Sequence, residues 1–252
     1  MMRILRRAAS VTALVKLLWT PIVEAHGEAR MFAGHYATAL AAKAAEPRAP
    51  MWTLIAGAQL VDIAWSIFVI TGIESGRIEP ELPGSPLVLE HMPWTHSLPA
   101  AIAWAVGAML LSRLLLRLPM RAAIVIGTVV FSHWLLDLLV HRPDLEAFPG
   151  GPKLGFALWN MEVPEQAVEI GLLGLGAMFW AGTRVRLGQS VWPAAAFFGL
   201  LVAVQIIAML MPKAAADTLA GFGPSALAVY LVLAGVAVFL DGRRASSPQG
   251  SA

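Results

Sequence analysis

The sequence predicts an all-α protein, a polytopic bundle of transmembrane helices with six clear spans and one short N-terminal helix inserted in the membrane. Three observations predict this fold class. Of the 252 residues, 58% are apolar and only 13% are charged, and the mean hydropathy is +0.70. Ordinary globular domains are about 45–50% apolar and about 25% charged. Six stretches are long and apolar enough to cross a bilayer, and prolines fall between them.

Charge and cysteine content exclude several classes of protein. The 18 Lys and Arg residues against 16 Asp and Glu residues give a net charge of +2, which is too small for a nucleic-acid partner. The chain has no cysteine, so disulfide scaffolds, thiolate zinc sites, iron–sulfur clusters and cysteine nucleophiles are excluded. Motifs of P-loop nucleotide binding, α/β-hydrolases and His-Glu-x-x-His proteases are also missing. Any metal ion must therefore be held by His, Asp and Glu.

The first 45 residues differ from the rest of the pattern. Residues 1–30 form a basic and apolar extension, which is either a signal peptide or a segment lying on the membrane surface, and Met31 is an alternative start. Residues 31–45 predict a helix of about 20 Å, which is short for a full span. We expect this helix to enter the membrane partway.

Six segments of about 20 apolar residues are each predicted to cross the bilayer as a helix. These spans are residues 51–73, 97–118, 120–141, 164–183, 191–211 and 224–240. The glycines of residues 171–176 lie within a span and predict close contact between helices. The chain is accordingly divided into the extension 1–30, a metal-site membrane domain 31–183, and a C-terminal part 184–252 with two spans and a short polar tail.

The distribution of Lys and Arg predicts the orientation of the bundle. Loops on one side carry nine basic residues, and loops on the other side carry only Arg77, Arg142, Lys153 and Lys213. Because cytoplasmic loops are enriched in Lys and Arg, the first set and the C-terminus are expected in the cytoplasm. The two long connections, residues 74–96 and 142–163, then lie on the outer face.

Several ionisable side chains fall inside the predicted spans. Asp62 lies in the first span, His133 and Asp137 lie in the third, and Glu169 lies in the fourth. An ionised side chain near the bilayer centre costs about 2.5–3.5 kcal/mol on insertion scales. Three separate buried carboxylates are hard to tolerate, whereas carboxylates gathered around a cation are explicable. The spans therefore predict a shared cation site.

Histidines at similar depth support this site. His133 and Asp137 are four residues apart, so they share one helix face, as zinc ligands often do. A hydrogen-bonded pair that fixes helix packing is the alternative. His91 and His96 precede the second span, and His35 begins the short helix. A rise of about 1.5 Å per residue places these groups in the outer half of the membrane.

Four motifs, taken in order, resemble a known family. Gly-His35-Tyr, Asp62, Thr-His96-Ser and Ser-His133-x-x-x-Asp137 are similar to motifs of bacterial inner-membrane metal-dependent hydrolases, also described as LexA-binding, inner-membrane-associated hydrolases. The resemblance covers about residues 31–175. Met-Pro-Trp stands before Thr-His-Ser where many relatives have Arg-Gly, which indicates a divergent branch. The resemblance implies a metal site of His35, Asp62, His96, His133 and Asp137, and it keeps His91 as a further ligand.

The residues and the resemblance together predict a membrane-embedded hydrolase with one or two divalent metal ions. Imidazole and carboxylate ligands favour zinc, with manganese or iron as options, and such ions activate water. Asp137 and Glu169 are the predicted catalytic residues, each as a metal ligand or a general base. Membrane lipids are the expected partners, and a lipid or lipid-linked (phospho)ester is the expected substrate. The alternatives are a transporter that uses the same residues for cations or protons, and a scaffold with a packing-only polar cluster.

Overall fold

The computed structural model describes residues 33–210 and 219–241, and these residues are mostly helical. The predicted extension 1–30 and most of the polar C-terminal tail lie outside the described residues. The α-helices are α1 (His35–Ala45), α2 (Met51–Ala58), α3 (Leu60–Ile70), α4 (Leu98–Leu114), α5 (Met120–Val140), α6 (Glu162–Arg186), α7 (Trp192–Leu210) and α8 (Leu219–Val238). Short 3₁₀ helices at Leu158–Asn160 and Phe239–Asp241 complete the helical part.

The structure supports two or three membrane spans in the described residues, where the sequence predicted six. Helices α5 and α7 are long and apolar enough to cross a bilayer by themselves. Helices α2 and α3 pass the same test only as a pair that is bent by 52°, which is either a broken span or a re-entrant loop. Helix α4 and Gly223–Val238 of α8 are apolar but shorter. Helix α6 has 25 residues, but buried carboxyl groups near its start lower its apolar character.

Two small β-hairpins lie outside the helical bundle. Strand β1 (Ser75–Ile78) pairs with β2 (Leu87–His91), and strand β3 (Leu145–Glu146) pairs with β4 (Lys153–Leu154), both antiparallel. They occupy the two long connections that the sequence places on one side of the membrane. The all-α prediction therefore describes the bundle, and the hairpins add a small β component to the connections.

Arg142 joins the two long connections. Its guanidinium donates hydrogen bonds to the carbonyls of Pro83 at 2.6 Å and Ser85 at 3.0 Å, and to Asn160 Oδ1 at 2.9 Å. Burial lowers the pKa of the Arg142 guanidinium from its usual value. Since these bonds satisfy backbone carbonyls of one connection from the start of the other, they hold the two connections together.

Replacing Arg142 with Ala is expected to loosen both connections. A hydrogen bond to a charged group contributes about 1.5–3 kcal/mol, and the variant loses several of them. In limited proteolysis in detergent, the variant should be cleaved within residues 74–96 or 142–163 at least about tenfold faster than the unmodified protein. A loss of ~1.4 kcal/mol corresponds to this tenfold ratio.

The control is Arg77→Ala, because Arg77 forms exposed ion pairs with Glu79 and Glu90 on the surface of the first hairpin. Exposed pairs contribute little to stability, so its cleavage rate should match that of the unmodified protein. Equal cleavage of all three proteins would show that Arg142 does not hold the connections.

Helix α1 is fixed within the bundle by packing and by an ion-pair cluster at its C-terminal end. It packs against α2, α5 and α6. At its far end, the buried Glu46 binds Arg48 Nε at 2.9 Å and Arg121 Nε at 3.1 Å. The Arg48 guanidinium, with a smaller effect of Arg121, lowers the pKa of the Glu46 carboxyl. Because Arg121 belongs to α5, this cluster ties the end of α1 to the helix that carries His133 and Asp137.

Candidate metal centre

Side chains from four segments of the chain meet in one place, which we call the His/Asp cluster. Its members are His35 at the start of α1, Asp62 in the first turn of α3, His96 just before α4, and His133 and Asp137 in α5. The three histidines and Asp137 are each at most 3% exposed. The Asp62 side chain is 21% exposed and is the most accessible member of the cluster.

Helix α5 supplies the centre of the cluster. His133 and Asp137 are one turn apart on the same face, and His133 Nε2 lies 3.2 Å from Asp137 Oδ2. The His35 ring stacks on the His133 ring with 4.0 Å between centroids. His35 Nε2 lies 3.1 Å from Asp137 Oδ1 and 3.3 Å from the His133 carbonyl oxygen. The first residue of α1 is thus packed directly on the metal-ligand pair that the sequence predicted.

The bend between α2 and α3 orients His133. Ala58 ends α2, so its carbonyl is one of those that a helix terminus leaves unpaired. His133 Nδ1–H donates to this carbonyl at 2.8 Å. Because a carbonyl oxygen only accepts, Nδ1 carries a proton, and in the neutral ring the Nε2 lone pair points into the cluster.

A second chain of hydrogen bonds orients His96. The Thr95 hydroxyl donates to Glu74 Oε2 at 2.6 Å, and the Glu74 carboxylate also accepts from the backbone of Trp94 and Thr95. Thr95 Oγ1 lies 2.7 Å from His96 Nδ1. Since the single hydroxyl proton is already given to Glu74, His96 Nδ1–H must donate to Thr95 Oγ1. His96 Nε2 then also points a lone pair into the cluster.

Asp62 closes the cluster on the side of α3. Its Oδ1 lies 3.2 Å from His96 Nε2 and 3.4 Å from His133 Nε2. Its Oδ2 accepts a hydrogen bond from the Tyr230 hydroxyl of α8 at 3.2 Å. The C-terminal part of the chain, which the sequence set apart from the metal-site domain, therefore contacts the cluster.

The described residues contain two groups whose ligand atoms all lie within 4.8 Å of one another, and both belong to this cluster. One group is His35, His133 and Asp137, and the other is Asp62, His96 and His133. His133 Nε2 and Asp137 Oδ2 are buried and have no hydrogen-bond partner among the described residues. A buried lone pair that faces a carboxylate is unfavourable unless a cation lies between them. The cluster can hold a metal ion.

Two predicted site residues lie elsewhere. His91 ends strand β2 opposite Ser75, and its side chain is exposed. Glu169 is buried in α6 beside Glu165 and the backbone of Ala33, and it belongs to neither ligand group. The register of the first hairpin explains the position of His91, because it keeps the end of β2 at the surface. Glu169 lies near the segment that leads into His35.

The structure adds residues that the sequence analysis did not assign to the site. His141 Nε2 lies 3.6 Å from Asp137 Oδ1, and His141 Nδ1 lies 3.1 Å from Asp144 Oδ1. The sequence spacing could have indicated His141, since it follows Asp137 by four residues and continues the same helix face. Glu74 and Tyr230 gave no such signal, because neither shares a sequence motif with the residue it supports.

Comparison with known proteins gives one family. A family model described as YdjM inner membrane protein matches residues 29–213. The match includes α1 to α7 and extends beyond residue 175, where the resemblance seen in the sequence ended. No curated protein and no solved structure matches the chain.

Proposed function

The chain belongs to the YdjM inner membrane protein family, and from this premise we propose that it is a membrane-embedded, metal-dependent hydrolase of a lipid or lipid-linked phosphoester. The observation that carries the metal part is the His/Asp cluster, in which two imidazole lone pairs face carboxylate oxygens in a buried place. His96 and His133 both use Nδ1 as a donor, so in the neutral rings each Nε2 presents a lone pair to the oxygens of Asp62 and Asp137. A cation relieves this conflict.

The spacing of the ligand atoms fits a small divalent ion. Two ligands bound to one tetrahedral ion at 2.0–2.2 Å lie about 3.3–3.6 Å apart. The contacts of His96 and His133 Nε2 with Asp62 and Asp137 range from 3.2 to 3.6 Å. Nitrogen and oxygen ligands without sulfur favour zinc, manganese or iron(II). Zinc is the first choice, because three nitrogen and oxygen ligands with one open position are typical of its catalytic sites.

The proposed roles follow from the positions of the carboxylates. A divalent ion in such a site lowers the pKa of bound water towards 7 and polarises a phosphoryl or acyl oxygen. Asp137 serves as a ligand, because both of its oxygens face imidazoles. Asp62 is the member that a substrate reaches first, since its side chain is the most exposed. The hydrogen bond from the Tyr230 hydroxyl orients its carboxylate. A role of Glu169 as general base stays a prediction.

A neighbouring groove supports a lipid as the substrate. An apolar groove of about 530 Å³ lies beside the segment that leads into His96. Its lining residues are Phe68, Ile73, Trp94, Ala103, Trp104 and Gly107. Trp104 Nε1–H donates to the Trp94 carbonyl at 2.9 Å, which fixes one wall of the groove two residues before His96. We propose that this groove receives an acyl chain of the substrate, because Trp94 connects its wall to His96 along the chain.

The test compares two histidines that are five residues apart. His96→Ala removes a cluster member, whereas His91→Ala removes an exposed imidazole of the hairpin. Both proteins are purified in detergent, metal is measured by mass spectrometry, and hydrolysis is measured on phosphatidylglycerol and phosphatidic acid in mixed micelles. We expect His91→Ala to match the unmodified protein, and His96→Ala to lose metal and at least about 100-fold of the activity.

Each other outcome overturns part of the proposal. Unmodified protein without bound metal overturns the metal centre. Metal loss only in His96→Ala with no hydrolysis of any phosphoester overturns the hydrolase and, if liposomes then show cation flux, favours a transporter. Equal metal loss in both variants overturns the separation of His91 from the site.

Thr95→Val is expected to weaken metal binding without removing a ligand. Valine has nearly the same shape as threonine, but it has no hydroxyl to accept from His96 Nδ1–H and to donate to Glu74. Loss of such an outer partner costs about 10–100-fold in metal affinity. Competition with a chromophoric chelator measures the affinity, and Thr95→Ser, which keeps the hydroxyl, should restore it. Equal affinities of the Val and Ser variants would contradict the role of the hydroxyl.

A further inference from the structure

The two oxygens of Asp137 face different pairs of imidazoles. Oδ2 lies 3.2 Å from His133 Nε2 and 3.6 Å from His96 Nε2. Oδ1 lies 3.1 Å from His35 Nε2 and 3.6 Å from His141 Nε2. A carboxylate whose oxygens address two separate ligand sets has the arrangement of a bridging ligand between two ions. The first set is completed by Asp62, whose Oδ1 contacts both His96 and His133.

His141 is built like the other ligand histidines. It is 5% exposed, and its Nδ1–H donates to Asp144 Oδ1 at 3.1 Å, so its Nε2 lone pair points towards Asp137. Asp144 is itself fixed, because its Oδ2 accepts the Leu89 backbone N–H at 3.3 Å. The Trp159 ring lies against the imidazole, with 3.9 Å between centroids. A carboxylate that holds a histidine by its far nitrogen is the usual support of a metal ligand.

We propose that the His/Asp cluster is a binuclear centre for two divalent metal ions. In this arrangement Asp137 would bridge the two ions, Asp62, His96 and His133 would complete the first site, and His35 and His141 would complete the second. His35 Nε2–H faces the His133 carbonyl at 3.3 Å, so binding of the second ion would release this proton. This inference rests on the proposed metal centre and adds His141 and Asp144 to it. Asp144 adds a third carboxylate, besides Asp62 and Asp137, to balance the charge of two divalent ions.

Two ions fit the proposed class of substrate. A pair of divalent ions about 3.5–4 Å apart stabilises both the attacking and the leaving oxygen of an in-line displacement. Such displacement occurs at phosphorus, so two ions would suit the proposed lipid with a phosphomonoester or phosphodiester head group.

Metal stoichiometry tests the proposal on the full chain. The protein is stripped with chelator, reloaded with Zn²⁺ or Mn²⁺, and freed of excess ion, and the metal per chain is determined together with quantitative amino-acid analysis. We expect two ions per chain in the unmodified protein and in His91→Ala, and one in His141→Ala. The Mn²⁺ form should give the electron paramagnetic resonance spectrum of a coupled pair, which His141→Ala converts to that of isolated ions.

Asp144→Asn provides a second variant that keeps every ligand. We expect its second ion to bind about 10–100-fold more weakly, while the first ion binds as before. One ion per unmodified chain with an uncoupled spectrum would overturn the binuclear centre and leave the proposed hydrolase standing. No ion at all would overturn both. Two ions in His141→Ala, with the coupled spectrum kept, would overturn the assignment of His141.

Discussion

Replacing Asp137 with Asn is expected to empty the site and to lower hydrolysis by more than about 100-fold, beyond what the loss of an outer hydrogen-bond partner costs. The two oxygens of Asp137 face four imidazoles, those of His35, His96, His133 and His141. The amide keeps the shape of the side chain but has no negative charge. It also places an NH₂ group against imidazole lone pairs on one side of the cluster.

The measurements are metal per chain and the rate of phosphoester hydrolysis, with circular dichroism to establish that the helices are intact. The matched control is Glu90→Gln, the same change of carboxylate to amide at an exposed position on β2. Glu90→Gln should keep full metal content and full activity. Metal content of Asp137→Asn equal to that of the unmodified protein would remove Asp137 from the centre.

Replacing Gly176 with Val is expected to destabilise the bundle and to disturb the site from a distance. A Cβ at Gly176 would lie 2.6 Å from the Ala37 carbonyl oxygen and 3.1 Å from Leu40 Cβ. The Ala37 oxygen belongs to the backbone of α1, so relief requires α1 to move away from α6. Overpacking of this kind costs about 1–3 kcal/mol. Because His35 begins α1, two residues before Ala37, the same movement draws His35 away from Asp137.

Thermal unfolding in detergent and metal content measure the two effects. We expect the unfolding midpoint to fall by roughly 2–12 °C, because 1 kcal/mol lowers the midpoint by about 2–4 °C for a chain of this size. The control is Gly174→Val in the same helix, because a Cβ there would meet no atom within 4 Å. Equal midpoints for both variants would show that Gly176 does not set the distance between α1 and α6.

The sequence identified most of the cluster because its chemistry is unusual for a membrane. Asp62, His133 and Asp137 stand out as ionisable groups in apolar segments, and His133 and Asp137 share a face by helical periodicity alone. The sequence favoured His96, which stands beside the start of a span, but it did not exclude His91 as a further ligand. Both precede a span, and only the pairing of β1 with β2 shows that His91 lies at the surface.

The residues that support the ligands could not be predicted from sequence spacing. Glu74 reaches His96 through Thr95 across a hairpin, and Tyr230 reaches Asp62 from α8. These contacts depend on how separate elements pack. The sequence does not distinguish Glu74 and Tyr230 from several other polar residues that could have made the same contacts. Ala58 supports His133 through its carbonyl, which no side-chain pattern reports.

Hydropathy overestimated the number of spans for a related reason. Residues 51–73 are mostly apolar, yet the structure breaks them at Gln59 into two helices bent by 52°. Residues 164–183 lie in a long helix, but this helix starts with carboxyl groups that are buried by neighbouring elements. A window of composition measures apolar content and does not record where a helix bends or which of its sides other helices cover.

The sequence by itself determined that this is a helical membrane protein, which family it resembles, and that imidazoles and carboxylates lie within its apolar segments. These properties depend on composition and on short-range periodicity, which a single segment carries within itself. The tertiary structure alone decided the number of helices fit to span, the exclusion of His91 from the cluster, and the bonds that point each imidazole nitrogen inward. Those depend on contacts between residues far apart in the chain, which exist only after the helices and connections have packed.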